Sequence, residues 1–278
     1  MTRPLKHIEV VPYNPQWPQM FEEEAALIKS VLKNHCLEIH HIGSTSVPNL
    51  SAKQDLDILC VVDTLPSSLS LQEYGFVFKG ELNIPLHYLF SKNTSFSKVN
   101  LHVVEPDHGF IALNIMFRDY LRNNEAARLA YENLKKDLIQ DPSSFERVDG
   151  KWSGYTLGKD AFIKDILEKT GFSGVSMNLC THYQEWEAYH RIKEEQIFNP
   201  RKMPYDRGHP SLLAKNHYHL ILYKGVHIVS IAHVELLNDQ EAELKSLATD
   251  TPYKGQSYET FMLSQLKKWD HLKKWEFQ

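Results

Sequence analysis

His41-Ile42-Gly43-Ser44-Thr45-Ser46-Val47-Pro48, followed by Asp55-Leu56-Asp57-Ile58-Leu59-Cys60-Val61-Val62, is the segment on which the reading of this chain turns. Leu37, Ile39 and His41 alternate with Glu38, His40 and Ile42 as in a short strand, and the pattern breaks at Gly43 and a run of hydroxyl residues. A second strand starts at Asp55, and its alternation fades after Asp57, as expected for a largely buried strand. Side chains alternate along a strand, so Asp55 and Asp57 project from one face, close enough to share a divalent cation. The turn at Gly43 offers phosphate oxygens the backbone N–H groups and hydroxyls of Ser44, Thr45 and Ser46, and Lys53 offers a neutralising charge. An isolated Asp-x-Asp more often simply opens a strand, whereas this order of turn, loop and carboxylates is also consistent with a second expectation. That expectation is a nucleotide and Mg2+ positioned for attack on the α-phosphate.

Upstream, Asn14-Pro15 predicts a helix cap with proline at the first helical position, and Phe21, Ala25, Ile28 and Val31 recur on one face. Further strands are expected at Phe76-Val77-Phe78 and Leu101-His102-Val103-Val104. Ala127, Tyr131, Leu134 and Leu138 mark a helix with Lys135 and Lys136 near its end, and Phe162, Ile163, Ile166 and Leu167 mark another that stops at Gly171. Arg118 and Arg122 lie four apart, as on one helical face, in reach of phosphate or of an ion-pairing partner. Small residues concentrate between Thr170 and Met177, which places a domain boundary there, with domains at 1–172 and 173–278.

The spacing G-S-x10-D-h-D resembles the nucleotidyltransferase fold of the DNA polymerase β type. Tyr13-Asn14-Pro15-Gln16-Trp17, His41 to Pro48, Phe117-Arg118-Asp119-Tyr120-Leu121-Arg122 and Lys159-Asp160-Ala161-Phe162-Ile163 resemble the GrpB family, which is assigned to that fold, over roughly residues 6 to 172. The resemblance implies a mixed sheet with helices, an α/β (α+β) domain, and Asp55 and Asp57 as catalytic and metal-binding residues. It also implies nucleotide or phosphate binding by Gly43, Ser44, Thr45, Ser46, Lys53 and Arg118. Family members usually read G-L-x-x-K-P-x-x-D where this chain has Asn49-Leu50-Ser51-Ala52-Lys53-Gln54-Asp55-Leu56-Asp57, so Asp57 matches the family aspartate and Asp55 makes the pair. A third carboxylate is not evident. Glu105 is a candidate, and His102 stands where the family pattern suggests the position.

The second half opens with an aromatic-rich helix through Trp186, Tyr189 and Ile192, then a hairpin around Lys224-Gly225. Ala242 to Ala248 reads as a strand, Asp250 to Gly255 as a turn, and Tyr258, Met262, Leu266 and Trp269 as one side of a helix. A helix start after a strand and turn favours an anionic pyrophosphate. This order resembles the coenzyme A site of the GNAT acetyltransferases, pattern R-x-x-G-x-G/A, over about residues 177 to 276, and implies a partial GNAT-like α/β domain. Leu247, Ala248, Lys254, Gly255, Gln256 and Ser257 are the implied acetyl-CoA contacts, with Ser257 and Glu259 standing where small residues are expected. The ending Lys274-Trp275-Glu276-Phe277-Gln278 leaves the GNAT sheet short, so the domain is expected to be truncated, a remnant, or completed by a neighbour in a homo-oligomer. Glu235 and Glu243 are candidate bases for acetyl transfer.

The 278 residues suffice for two cores, and 42% hydrophobic against 24% charged residues describes a folded chain. The net charge of −4 excludes a basic surface for extended nucleic acid, so any phosphate chemistry is local. Cys36, Cys60 and Cys180 are dispersed, without C-x-x-C, against a disulfide framework or a structural zinc. Met1 to His7 lacks the apolar core of a signal peptide, and Ile58 to Val62 is too short to span a bilayer, so a cytoplasmic protein with no membrane contact is expected. Three functions follow: a nucleotidyltransferase-like enzyme acting on a small-molecule or nucleotide substrate, an acetyltransferase whose first domain recognises substrate, and a non-catalytic ligand-binding protein.

Overall fold

The computed structural model describes residues 8–148, 152–273 and 276–277. The N-terminal residues 1–7 and most of the 274–278 ending, on which two of the readings above rest, lie outside them. The chain divides into two compact units, Met1–Leu82 with His87–Gly174, and Asn83–Leu86 with Val175–Gln278.

The first unit starts with α1 (Trp17–Leu32), which begins two residues later than an Asn14 cap predicts. Asn14 Oδ1 accepts a hydrogen bond from Gln16 N at 2.9 Å, turning the chain ahead of the helix, and Pro18 rather than Pro15 occupies the first turn. Trp17, Ala25, Ile28 and Leu32 are buried, so Leu32 replaces Val31 on the inward face.

The strands β1 (Cys36–Ile42), β2 (Asp55–Val62), β3 (Val77–Gly80), β4 (His87–Asn93) and β5 (Lys98–Val104) form one sheet in the order β1-β2-β5-β4-β3. β2 and β5 are parallel and the other neighbours antiparallel, giving the mixed sheet that was expected. β4 escaped the sequence reading because Ser91, Lys92 and Asn93 dilute its apolar half, Tyr88 and Phe90.

Helices α2 (Gly109–Asn123) and α3 (Glu125–Gln140) follow, the second capped by Asn124 Oδ1, which accepts from Ala127 N at 2.9 Å. A two-residue ladder, β6 (Arg147–Val148) with β7 (Trp152–Ser153), leads into α4 (Gly154–Leu157) and α5 (Asp160–Lys169). Ile42, Leu59, Val61 and Val104 pack under Phe110 and Ile111 of α2, while Val47, Leu50, Leu121 and Tyr131 pack with Phe117 and Phe162.

The second unit comprises β8 (Val175–Leu179), α6 (Tyr183–Lys193), β9 (His217–Lys224), β10 (His227–Leu236), β11 (Glu241–Thr249), α7 (Tyr258–Lys273) and β12 (Glu276–Phe277). Val175 to Met177, the end of the small-residue stretch in which the domain boundary was placed, enter β8. The sheet order is β12-β11-β10-β9-β8, antiparallel except for β11 with β12. Met262, Leu266 and Trp269 of α7 pack against Leu220, Leu222, Ala232 and Val234, and Tyr189 and Ile192 of α6 pack with Ile221 and Ile231. Leu266→Ala, at a position 1% exposed, should cost this unit about 2–4 kcal/mol, read as an earlier urea midpoint of its transition.

Candidate functional site

β1 runs into Gly43, whose backbone takes φ 69° and ψ −174°, a region essentially reserved for glycine. Its neighbour explains the need: a Cβ there would stand 2.3 Å from Asp57 Oδ2 and 3.0 Å from Asp57 Cβ. Ile42 pairs with Asp57 across the ladder, so the turn passes directly over that carboxylate.

Ser44, Thr45 and Ser46 form a single 3-10 turn. Two of their hydroxyls are spent on backbone carbonyls, one within the turn and one on β2. Ser46 Oγ donates to Gly43 O at 2.6 Å, and Thr45 Oγ1 donates to Asp55 O at 3.2 Å while contacting His41 Nε2 at 3.0 Å. Ser44 hydrogen-bonds the Tyr131 side chain. Arg118 Nη1 donates to His41 O at 3.0 Å, and Arg122 donates to Ser46 O through Nε at 3.0 Å and Nη2 at 2.7 Å. The arginines of α2 therefore clamp the end of β1 and the turn that follows it, and Arg118 also ion-pairs with Asp119 at 2.7 Å. Burial, followed by the charges of Arg122 and Arg118, pushes His41 down to about 4, which keeps it neutral.

Asp55 and Asp57 share one face of β2. Lys53 Nζ pairs with Asp55 Oδ2 at 2.7 Å. Asn100, opposite Asp57 on parallel β5, donates from Nδ2 to Asp57 Oδ1 at 2.9 Å. Desolvation, reinforced by Asp55 and opposed by Asn100, Lys159 and Lys53, raises Asp57 to about 6. Lys159 stands at the start of α5 with its Nζ 4.5 Å from the Tyr155 ring centroid, and burial pushes it down to about 8 despite the Asp57 charge. Tyr131, stacked on Phe162 at 5.1 Å, and Tyr155 are buried, and Asp57 and Asp55 respectively help to raise their phenol pKa values after desolvation, that of Tyr155 to about 12. Lys135 is buried, donates to Ser51 O, lies 4.9 Å from the Tyr131 ring and is pushed down to about 7 by burial and then by Lys159.

Asn100, Lys135, Lys159, Tyr131 and Tyr155 were not singled out as site residues from the sequence; Lys159 stood inside a quoted motif, and the others are joined to the site only by folding. The alternatives for a third carboxylate lie elsewhere. Glu105 Oε1 accepts from Leu65 N at 3.1 Å, and His102 Nδ1 contacts Nε2 of the buried His87 at 2.9 Å. Among the described residues no group of three His, Cys, Asp or Glu side chains could hold a metal. Two carboxylates and an amide nevertheless suit Mg2+, which commonly binds one or two protein carboxylates and keeps waters or phosphate oxygens.

In the second unit, Leu247 packs with the α7 core and Ala248 with the α6 core. Among the described residues β12 pairs with β11 at Glu241 and Ala242 only, well before these two. Lys254, Gly255, Gln256 and Ser257 are exposed in the loop ahead of α7, where Gly255 and Ser257 take φ of 76° and 63°. The loop is anchored by Asp250, which accepts from Arg191 Nη1 at 3.0 Å and Nη2 at 2.6 Å.

A polar line crosses β10 and β9. Lys193 Nζ contacts Tyr189 OH at 2.9 Å and His233 Nδ1 at 3.3 Å, His233 Nε2 contacts His217 Nδ1 at 2.8 Å, and His217 Nε2 lies 3.7 Å from Glu235 Oε1. Burial and Lys193 push His233 down to about 2, and burial pushes Lys193 down to about 8. The line thus joins a buried amine at one end to the Glu235 carboxylate at the other through two imidazoles. Glu243, the other candidate base, is held by Lys245 at 3.0 Å.

The model of the family described as GrpB protein matches residues 7–169, more than half of the chain. The chain belongs to the GrpB family. Across the GrpB unit the UPF0157 protein YqkA of Bacillus subtilis (strain 168) is 34% identical over 170 residues, 59% of this chain and 48% of that protein. This chain thus matches about half the length of that relative. The crystal structure of conserved protein GrpB from Enterococcus faecalis is 36% identical, covers 58% of this chain and 96% of its own, and superposes with a TM-score of 0.51. Structural neighbours of the C-terminal part include an aminoglycoside acetyltransferase, meta-AAC0020, from an uncultured soil metagenomic sample, 15% identical, covering 38% of this chain and 75% of its own with a TM-score of 0.32. Among the described residues no helix is long and apolar enough to cross a membrane.

Proposed function

We propose that the GrpB unit is a transferase module that binds a nucleotide with Mg2+ at the Gly43 turn and acts at its phosphate. One observation carries this reading: the turn lies on the Asp57 carboxylate, beside Asp55 on the same strand face, with lysines close to both. Asp55 and Asp57, with the Asn100 amide beside them, would hold the cation. When bound, it supplies charge that offsets the phosphate oxygens. Lys53 and Lys159 neutralise phosphate, Arg118 and Arg122 keep the turn's shape, and Tyr131 and Tyr155 shield the carboxylates from water.

Thermal melts of the full chain with ATP, CTP, GTP or UTP, with and without Mg2+, test this. At about a hundredfold excess over Kd, the cognate nucleotide should raise Tm by roughly 5–10 °C only when Mg2+ is present. The double variant Asp55→Asn/Asp57→Asn should lose that rise. Wild-type protein that responds to none of the four rules the reading out.

A second reading is acetyl transfer by the C-terminal unit, with the GrpB unit recognising the substrate. It is favoured by the line from Lys193 to Glu235, which holds an amine of lowered pKa and a carboxylate, both candidate acid–base groups, on one side of the sheet. Acetyl-CoA and CoA added to the same melts separate the two. Under this second reading the coenzymes shift Tm equally in the wild type and the double aspartate variant.

A further inference from the structure

The cysteines are dispersed along the chain but not in space. Cys36 opens β1 and Cys60 lies within β2, and the antiparallel register, Ile39 opposite Cys60 with a bulge between Cys36 and Glu38, sets the two Sγ atoms 3.6 Å apart. Both are free thiols. Their access differs, since Cys60 is fully buried whereas Cys36 is partly exposed on β1, the edge strand of its sheet. Their acidity differs in the same sense. The hydrogen bond with Cys60 and the Lys29 charge lower Cys36 to about 7 against the effect of burial, and that same bond and burial push Cys60 up. An accessible thiolate in contact with a buried thiol has the arrangement of an attacking and a resolving cysteine.

We propose that Cys36 and Cys60 form a thiol-oxidation site that takes a hydroperoxide and closes as a cross-strand disulfide. The Cys36 thiolate attacks the hydroperoxide, the O–O bond breaks, Cys36 becomes a sulfenic acid, and the released alkoxide or hydroxide takes a proton from water. The Cys60 sulfur then attacks the Cys36 sulfur, the S–O bond breaks, and the thiol proton leaves with the hydroxyl as water. The two thiols together lose two electrons, which reduce the hydroperoxide. The bridge ties the edge strand to β2, the strand that carries Asp55 and Asp57, and β1 is the strand that delivers Gly43. The proposal rests on the thiol geometry alone and stands or falls separately from nucleotide binding.

The test treats the reduced full-length protein with hydrogen peroxide, blocks remaining thiols by alkylation and maps peptides without reduction. The expected product is a monomer in which the Cys36 and Cys60 peptides are joined and Cys180, buried and raised in pKa, is alkylated as a free thiol. Cys60→Ser should halt the reaction at a Cys36 sulfenic acid that dimedone captures. Cys36 driven to sulfinic acid beside a free Cys60, bridges between chains, or Cys180 oxidised as fast as Cys36 would each overturn the proposal. The wild-type map decides the question even if the variant does not fold.

Discussion

Gly43→Ala should destabilise the GrpB unit by about 2–5 kcal/mol, from about 1–3 kcal/mol of backbone strain and a similar amount for moving Asp57. The strain arises because φ 69° with ψ −174° is closed to a residue with a Cβ, and the displacement because that Cβ would stand 2.3 Å from Asp57 Oδ2. Asp57 is anchored by Asn100 and its side chain is short, so it has little room to yield. The unit's Tm should fall by roughly 5–15 °C, and any Mg2+-dependent nucleotide response should go with it. Gly255→Ala supplies the comparison. Its φ of 76° is equally positive, but nothing lies within 4 Å of the position a Cβ would take, so only about 1–2 kcal/mol is expected. If the two variants melt alike, the close approach of the turn to Asp57 is wrong.

Asp57→Asn should raise the stability of the ligand-free protein at pH 7.5 and leave it unchanged near pH 4. The Asp57 carboxyl is raised from 3.8 to about 6, so the folded state holds its proton more tightly than the unfolded chain. Stability from this group is complete below the unfolded pKa and is lost as pH rises through about 6. A shift of that size corresponds to about 3 kcal/mol, which solvent at this half-buried side chain reduces to about 1–2 kcal/mol. The variant should therefore melt about 2–6 °C above wild type at pH 7.5, a gain that Mg2+ with the cognate nucleotide erases by stabilising only the wild type. A variant less stable than wild type at pH 7.5 would show that the ionised carboxylate is already satisfied by Asn100, Lys159 and Lys53. An ionised carboxylate that lowers stability is common at sites built to receive a cation.

Residues that act through neighbours in sequence were legible from the chain alone. Gly43, the hydroxyl run, and Asp55 with Asp57 on one strand face follow from strand period and turn chemistry, and one of the family motifs, His41 to Pro48, covers the turn. Local cues also placed α3, α7 and the β9–β10 hairpin close to their observed bounds. Where two local signals competed, the reading slipped. Asn14-Pro15 marks a turn, while burial of Trp17 decides where α1 begins. Val175 to Met177 looks like linker by its small neighbours, yet pairing with β9 makes it strand.

The class of each half, the strand that carries the paired aspartates and the glycine turn before them are written in local sequence, because strand period and turn chemistry act over a few residues. Tertiary structure decided the partners. Asn100 reaches Asp57 because β5 lies parallel to β2, Arg118 meets the His41 carbonyl at the end of β1 and Arg122 the Ser46 carbonyl of the turn, and the hydroxyls of Ser46 and Thr45 go to Gly43 O and to Asp55 O at the start of β2. Lys159 enters from the start of α5, and Cys36 meets Cys60 only through the β1–β2 register. These contacts join residues tens of positions apart, and sheet order and register, which no local pattern encodes, select which of them meet.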